Sequence, residues 1–177
     1  MINKNIEEFF KNDYVFRGKH ARYVKSLTEV YGNSLTSYKL FNRNLDVYLL
    51  APIIGFLNKR LSEVDTSTND IRKIDIGQII SVIENIEYSY RLIMLKDKKY
   101  ESNYEKRVEK AFKFINTPQG KKDLEYFNKY VLGGVEVLYE QIIEKGKTSE
   151  DYILNLFNFV NEFDSINNEE RDFEDML

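Results

Sequence analysis

The chain holds one histidine, His20, and no cysteine. These two facts bound the chemistry it can carry. Without cysteine there is no thiol nucleophile, disulfide, zinc ribbon or iron–sulfur cluster. A carboxylate di-iron bundle takes two Glu-x-x-His motifs, and a zinc-protease helix takes two His on one face. A single His supplies neither. A Ser-His-Asp constellation would have to be built on His20, and no Ser lies in a nucleophile-elbow pattern. Helical ribonucleases of the HEPN type place more residues between their Arg and His than the three-residue step from Arg17 to His20. Glu84 and Glu87 are spaced i, i+3, and Glu136, Glu140 and Glu144 are spaced i, i+4, i+8. Carboxylates so placed can share a metal, and the same spacing also describes an ordinary solvated helix face. There is no P-loop, no dinucleotide-binding glycine pattern and no EF-hand loop. The expectation is a protein that is not an enzyme, with no catalytic residue, cofactor site or metal ligand assigned.

The segment with most functional content is "VFRGKHARYVK". Arg17, Lys19, His20, Arg22 and Lys25 fall within nine residues, interleaved with Phe16 and Tyr23. If a helix begins just after Gly18, Lys19 and His20 lie in its first turn, where backbone N–H groups attract anions. Such a face suits phosphates, read without sequence preference and sensitive to salt. It suits an acidic protein surface equally well.

The elements that must position these residues read as helices. "GKHARYVKSLTEVYGN" carries Ala21, Val24, Leu27, Val30 and Tyr31 on one face and is expected to end at Gly32. Residues 3–11 give a short first helix. "NLDVYLLAPIIGFLNKR" is the most apolar run, yet its apolar stretch from Leu45 to Leu57 is about 13 residues and contains Asp46, against the roughly 20 a membrane span needs. Pro52 argues against a central strand and for a helix that kinks or restarts there, with Gly55 admitting a close neighbour. After the polar loop 62–70 comes "DIGQIISVIENIEYSYRLIML", which reads as one buried helix. Two more follow, around Tyr104–Ile115 and Leu124–Ile142, the second containing Gly133 and Gly134 for a close crossing or a kink. Ile153, Leu156, Phe157, Val160 and Phe163 form a last core stripe. The fold expected is all-α: a single compact domain of six or seven helices over residues 1–163, followed by an acidic, frayed tail over 164–177.

Composition agrees. Hydrophobic residues make up 42% and charged residues 31%, as in a folded globular chain, and the 2 Pro and 8 Gly are few for an all-β fold. The 13 Tyr and 12 Phe, with no Trp, are expected to fill the core, with an exposed aromatic binding surface as the alternative. The N-terminus has no signal-peptide pattern, and a cytoplasmic location is the simplest expectation. The net charge of −3 hides a gradient. Residues 1–60 carry ten Lys/Arg against five Asp/Glu, whereas residues 162–177 carry seven acids against Arg171 alone. The tail residues Glu169, Glu170, Asp172, Phe173, Glu174 and Asp175 are therefore candidates for contact with a basic partner.

The combination of Phe16, Lys19, His20, Ala21, Leu40, Phe41, Ala51, Gly55 and Phe56 resembles a family of small proteins that accompany bacterial DNA-phosphorothioation (Dnd-type) defence systems. The resemblance covers the first third of the chain, with a faint echo at "FNKYVLGGVEVLYE", and Pro52 departs from the small residue expected there. It implies a host-defence or mobile-element setting and no particular chemistry. The function expected is a non-enzymatic accessory protein that binds a protein partner, with homo-oligomers compatible and no membrane involved. Two alternatives remain open: direct nucleic-acid binding through residues 17–25, and a phage-encoded inhibitor acting through its acidic surface.

Overall fold

Two helices that touch backbone to backbone set the architecture. The structure, a computed structural model, describes residues 8–10, 12–32 and 37–174, with side chains described as far as residue 162. In chain order the elements are β1 (Tyr14–Arg17), α1 (Gly18–Thr28), α2 (Asn44–Leu57), β2 (Ile71–Ile74), α3 (Ile76–Ile80), α4 (Ile83–Lys96), α5 (Tyr104–Phe112), α6 (Pro118–Leu138) and α7 (Ser149–Glu174). The last turns of α6 pass into a π-helical segment, Tyr139–Glu144. Seven helices and one two-stranded sheet thus make up the described residues, and the fold is mostly helical and forms one compact domain, as the periodicity predicts.

The central contact is α2 on α6. A methyl group on Gly55 would overlap the carbonyl of Tyr130, and one on Gly134 would overlap the carbonyl of Ala51. The two glycines therefore let the helix backbones meet, and Leu45, Val47, Tyr48, Ala51 and Ile54 bury their side chains around the crossing. Pro52 lies inside one continuous helix and starts no new one. Its missing N–H forfeits one hydrogen bond, but Ala51 and Gly55, on either side of it, are both held against α6. α2 begins with the Arg43 N–H donating to Asp46 Oδ2 at 2.9 Å, a charge-assisted cap in the first turn.

Several boundaries differ from expectation. α1 ends at Thr28, before Gly32, so Val30 points into solvent. The single helix expected over 75–95 is two, because Asp75 caps a five-residue α3 and Val82 leaves the helical region at φ −129°. The short strands are an addition: β1 and β2 pair antiparallel with Phe16 opposite Arg72, and Phe16 and Ile74 are fully buried. The helix expected over 3–11 lies largely outside the described residues. No helix among them is long and apolar enough to cross a membrane.

A polar knot joins α4, α5 and α6. The buried Asp97 accepts hydrogen bonds from Tyr126 at 2.9 Å and Tyr130 at 2.7 Å. The fully buried Asp123 accepts from Tyr100 at 2.7 Å and pairs with Lys110 at 2.8 Å. Tyr100 and Tyr126 stack at 3.7 Å, closing the knot.

The glycines separate cleanly by substitution. Gly134→Ala should lose about 1–3 kcal/mol by overpacking, despite a helix-propensity gain of about 1 kcal/mol. Gly77→Ala in α3 meets nothing within 4 Å and should be neutral or stabilising by up to about 1 kcal/mol. Urea unfolding of both variants checks the pair; equal midpoints would show that the backbone contact is not under strain.

Candidate functional site

α2 ends in a Schellman turn. Lys59 takes φ +52°, the Lys59 N–H donates to Phe56 O at 3.0 Å, and the Arg60 N–H donates to Gly55 O at 2.8 Å. The turn drops residues 60–62 onto α6, where Gly133 has no side chain to obstruct the Arg60 carbonyl. Three residues further along α6 stands Glu136, 6% exposed. Its Oε2 accepts from Arg60 Nε at 3.1 Å, and its Oε1 accepts from Ser62 Oγ at 2.5 Å. α1 supplies the rest: Lys19 Nζ lies 2.8 Å from Oε1 and His20 Nε2 lies 3.1 Å from it. Arg60 also reaches Glu140 at 2.6 Å. One buried carboxylate thus ties together α1, α6 and the loop after α2.

The electrostatics follow from this crowding. Burial pushes the Glu136 carboxyl up, but hydrogen bonds from Lys19, Ser62 and Arg60 outweigh it and hold its pKa at about 2. Burial also pulls the His20 imidazole below its ordinary value, against the opposing pull of Glu136. His20 is completely buried, and its Nδ1 has no hydrogen-bond partner. A neutral ring with its proton on Nε2, donated to Glu136, satisfies this geometry.

The N-terminus of α1 is occupied from within. Gly18 sits at φ +55° directly over Asp65, whose Oδ2 accepts from the Lys19 N–H at 2.5 Å. Asp65 also accepts from the Ser67 N–H at 2.9 Å, and these bonds, that from Lys19 first, hold its carboxyl well below the usual range. The anion that a helix start attracts is supplied by the chain itself. Arg22 pairs with Asp70 at 3.0 Å and donates to Thr68 at 3.1 Å.

The five residues of the basic segment are therefore divided. Lys19 and His20 converge on Glu136, Arg22 turns to the 65–70 loop, and Arg17 and Lys25 stand exposed. Beside them Tyr23 stacks on Tyr139 at 3.9 Å, where α6 turns π-helical. Of the tail residues, Glu169, Glu170, Asp172, Phe173 and Glu174 lie in α7, their side chains outside the described set; Asp175 lies outside the described residues.

His20, Ser62 and Glu136 touch one another, yet they do not form a nucleophilic triad. Ser62 Oγ lies 3.3 Å from His20 Nε2, the same nitrogen that meets Glu136. A general base needs one ring nitrogen for the nucleophile and the other for the orienting carboxylate. Glu136 and Glu140 are joined by Arg60, and the π-helical segment takes Glu144 away from them to an exposed position. Among the described residues no three acidic or His side chains converge as a metal site would require.

No family model, curated protein or solved structure matches this chain. The partners of Glu136 escape a reading of the sequence because Arg60 and Ser62 stand 76 and 74 residues from it. The burial of His20 does leave a signal: it precedes Val24 by four residues and Leu27 by seven, the spacing of the buried face.

Acid should unfold the protein through this cluster. Glu136 is lowered from 4.5 to about 2, so its contribution of about 3 kcal/mol is complete above pH 4.5 and is lost as pH falls toward 2. His20 acts in the same direction below pH 6.5, because the unfolded chain takes up a proton that the buried ring refuses. Glu136→Gln should flatten the urea midpoint between pH 5 and 2 while lowering it at pH 7. The single imidazole gives one set of ring resonances by NMR; a titration midpoint at or above 6.5 would contradict the buried neutral ring.

Proposed function

We propose that this chain is a non-enzymatic interaction protein that binds a protein partner through α7, in a bacterial or phage defence or counter-defence setting. The observation that carries the reading is a row of large apolar side chains facing outward on that helix: Ile153, Leu154, Phe157 and Val160, of which Phe157 is 61% exposed. The opposite side of α7 is already satisfied. Tyr152, Leu156 and Phe159 pack on the core, Asn155 Nδ2 donates to Ile142 O at 3.0 Å, and Tyr31 meets Tyr152 edge to face at 5.1 Å. The core stripe expected over 153–163 is thus split, with Leu156 inward and Ile153, Phe157 and Val160 outward; the Phe163 side chain lies outside the described set. A clustered apolar row on a surface helix is the mark of an interface.

Two features support a non-enzymatic reading. The sole imidazole is buried and committed to Glu136, and the nearby cations Lys19 and Arg60 are held by the same carboxylate. The defence setting rests on the resemblance of the first third of the chain. Direct nucleic-acid binding is the weaker reading, since Lys19 and Arg22 already have anionic partners within the chain.

Co-purification from the native host with tagged wild type and with Phe157→Ser separates these readings. A partner recovered with wild type should be reduced about tenfold or more with Phe157→Ser, at unchanged melting temperature. The same protein profile for both chains would remove α7 as the interface. A gel shift at low salt that disappears with Arg17→Gln/Lys25→Gln would favour nucleic acid instead.

A further inference from the structure

Residues 96–123 carry nine Lys/Arg against five Asp/Glu, and the fold sorts these charges by depth. Asp97 and Asp123 are buried. Asp97 accepts from the Tyr126 and Tyr130 hydroxyls and from the backbone N–H groups of Lys99 and Tyr100. Asp123 accepts from Tyr100, Lys110 and Gln119. These bonds clasp the turn 97–100 and the C-terminal half of α5 onto α6. Four exposed lysines adjoin the clasp: Lys98 and Lys99 within the turn, Lys106 one helical turn before Lys110, and Lys122 beside Asp123. Among the described residues, none of their ammonium groups has a hydrogen bond or an ion pair. Of the three other acids on this stretch, Glu101 accepts from the Asn103 N–H at 3.1 Å and Glu109 pairs with Lys113 at 2.9 Å, which leaves Glu105. The carboxylates are thus spent within the fold and the lysines are not. The segment 17–25 is the reverse case, since Lys19 and Arg22 are held by Glu136 and Asp70.

We infer that this lysine-rich end of the molecule is a second contact surface, one that binds the phosphate backbone of nucleic acid without sequence preference. It goes beyond the α7 reading and stands independently of it. The residue types choose the occupant. Lysine is a point charge and lacks the fork with which arginine grips a single carboxylate or phosphoryl group. Several separated lysines therefore suit an anion that repeats along a chain, and phosphate contacts draw on lysine freely. Protein interfaces deplete lysine and anchor on aromatic side chains or arginine. A membrane surface needs an apolar or lipid anchor beside the charge. The large apolar side chains exposed on this stretch are Tyr104 and Phe112, and they lie against Arg107 and Arg91. The four lysines are left as a surface of charge alone.

The probe is a fluorescent DNA duplex of about 20 base pairs, titrated with the full chain by anisotropy from about 50 mM salt upward. Binding should weaken with salt at a logarithmic slope of about −3 to −4, as four neutralised phosphates require. Lys98→Gln/Lys99→Gln should weaken binding about tenfold and reduce the slope by about two. Adding Lys106→Gln/Lys122→Gln should abolish it. Arg17→Gln/Lys25→Gln and Phe157→Ser should leave it unchanged. All four lysines are exposed, and circular dichroism and melting temperature check that the variants fold as wild type does. If the quadruple variant is unstable, the double variant carries the test by its slope. No binding of the duplex at about 50 mM salt, or binding that Lys98→Gln/Lys99→Gln leaves intact, overturns the inference. So does a loss of binding with Arg17→Gln/Lys25→Gln, which would place the site on α1. Binding to phosphatidylserine vesicles in place of the duplex overturns it as well. The α7 reading survives any of these failures, because its partner is lost with Phe157→Ser and not with the lysine variants.

Discussion

The backbone contact between α2 and α6 is the constraint on which the rest of the molecule depends. Gly55 and Gly134 each stand where a methyl would strike the other helix, so the crossing tolerates no larger residue at either position. Two consequences follow from bringing the helices this close. The crossing buries the most apolar segment of the chain, giving a core that holds Tyr48, Ile54, Phe127 and Val131. It also fixes where α2 ends, so that its Schellman turn delivers Arg60 and Ser62 to Glu136. Gly133 serves the second consequence alone, clearing space for the Arg60 carbonyl. Adjacent glycines in the middle of a helix cost propensity; here each admits a different piece of backbone.

Glu136 shows why a buried carboxylate is tolerable. Its desolvation is offset by two cations, a hydroxyl and an imidazole N–H, drawn from α1 and from the loop after α2. Removal of any one partner leaves the others around a charge they no longer balance, so the cluster acts as a unit. Its geometry also keeps His20, Ser62 and Glu136 from being arranged as a nucleophilic triad: Glu136 and Ser62 face the same ring nitrogen. The basic segment that dominates the N-terminal sequence is largely consumed in this way. Asp65 and Asp70, from the loop before β2, neutralise its helix start and its central arginine.

The helical periodicity was legible from the chain alone because it is local. Ile79, Ile83, Ile86, Tyr90 and Ile93 announce a buried face without knowledge of what covers it. The glycines of α2 and α6 announced a close approach, and the approach is between those two helices. The strands were illegible: four-residue segments such as "YVFR" and "IRKI" carry too little pattern, and their pairing spans more than fifty residues. The break at Val82 was missed because apolar residues continue across it with helical spacing. The partition of the basic residues was missed for a deeper reason. Charge runs are read as surface by default, and only the three-dimensional position of Glu136, Asp65 and Asp70 converts them into structure.

α7 inverts that lesson. Its apolar residues outnumber what one buried face can use, and a linear reading assigns Ile153, Leu156, Phe157 and Val160 to the same core. These four span only about 100° of the helix, but with Tyr152, Leu154 and Phe159 the apolar arc widens to about 220°, too wide to turn inward together. The anchors chosen by the body are Tyr152, Leu156 and Phe159, fixed by the Tyr31 ring contact and by Asn155 on the π-helical segment. Once those are seated, Phe157 must point away. An exposed aromatic of that size gains nothing from water, and Ile153, Leu154 and Val160 beside it are exposed as well. A helix built only to cover the core would carry polar residues at 153, 157 and 160. That it carries Ile, Phe and Val there leaves an apolar row on the outer face of α7 among the described residues.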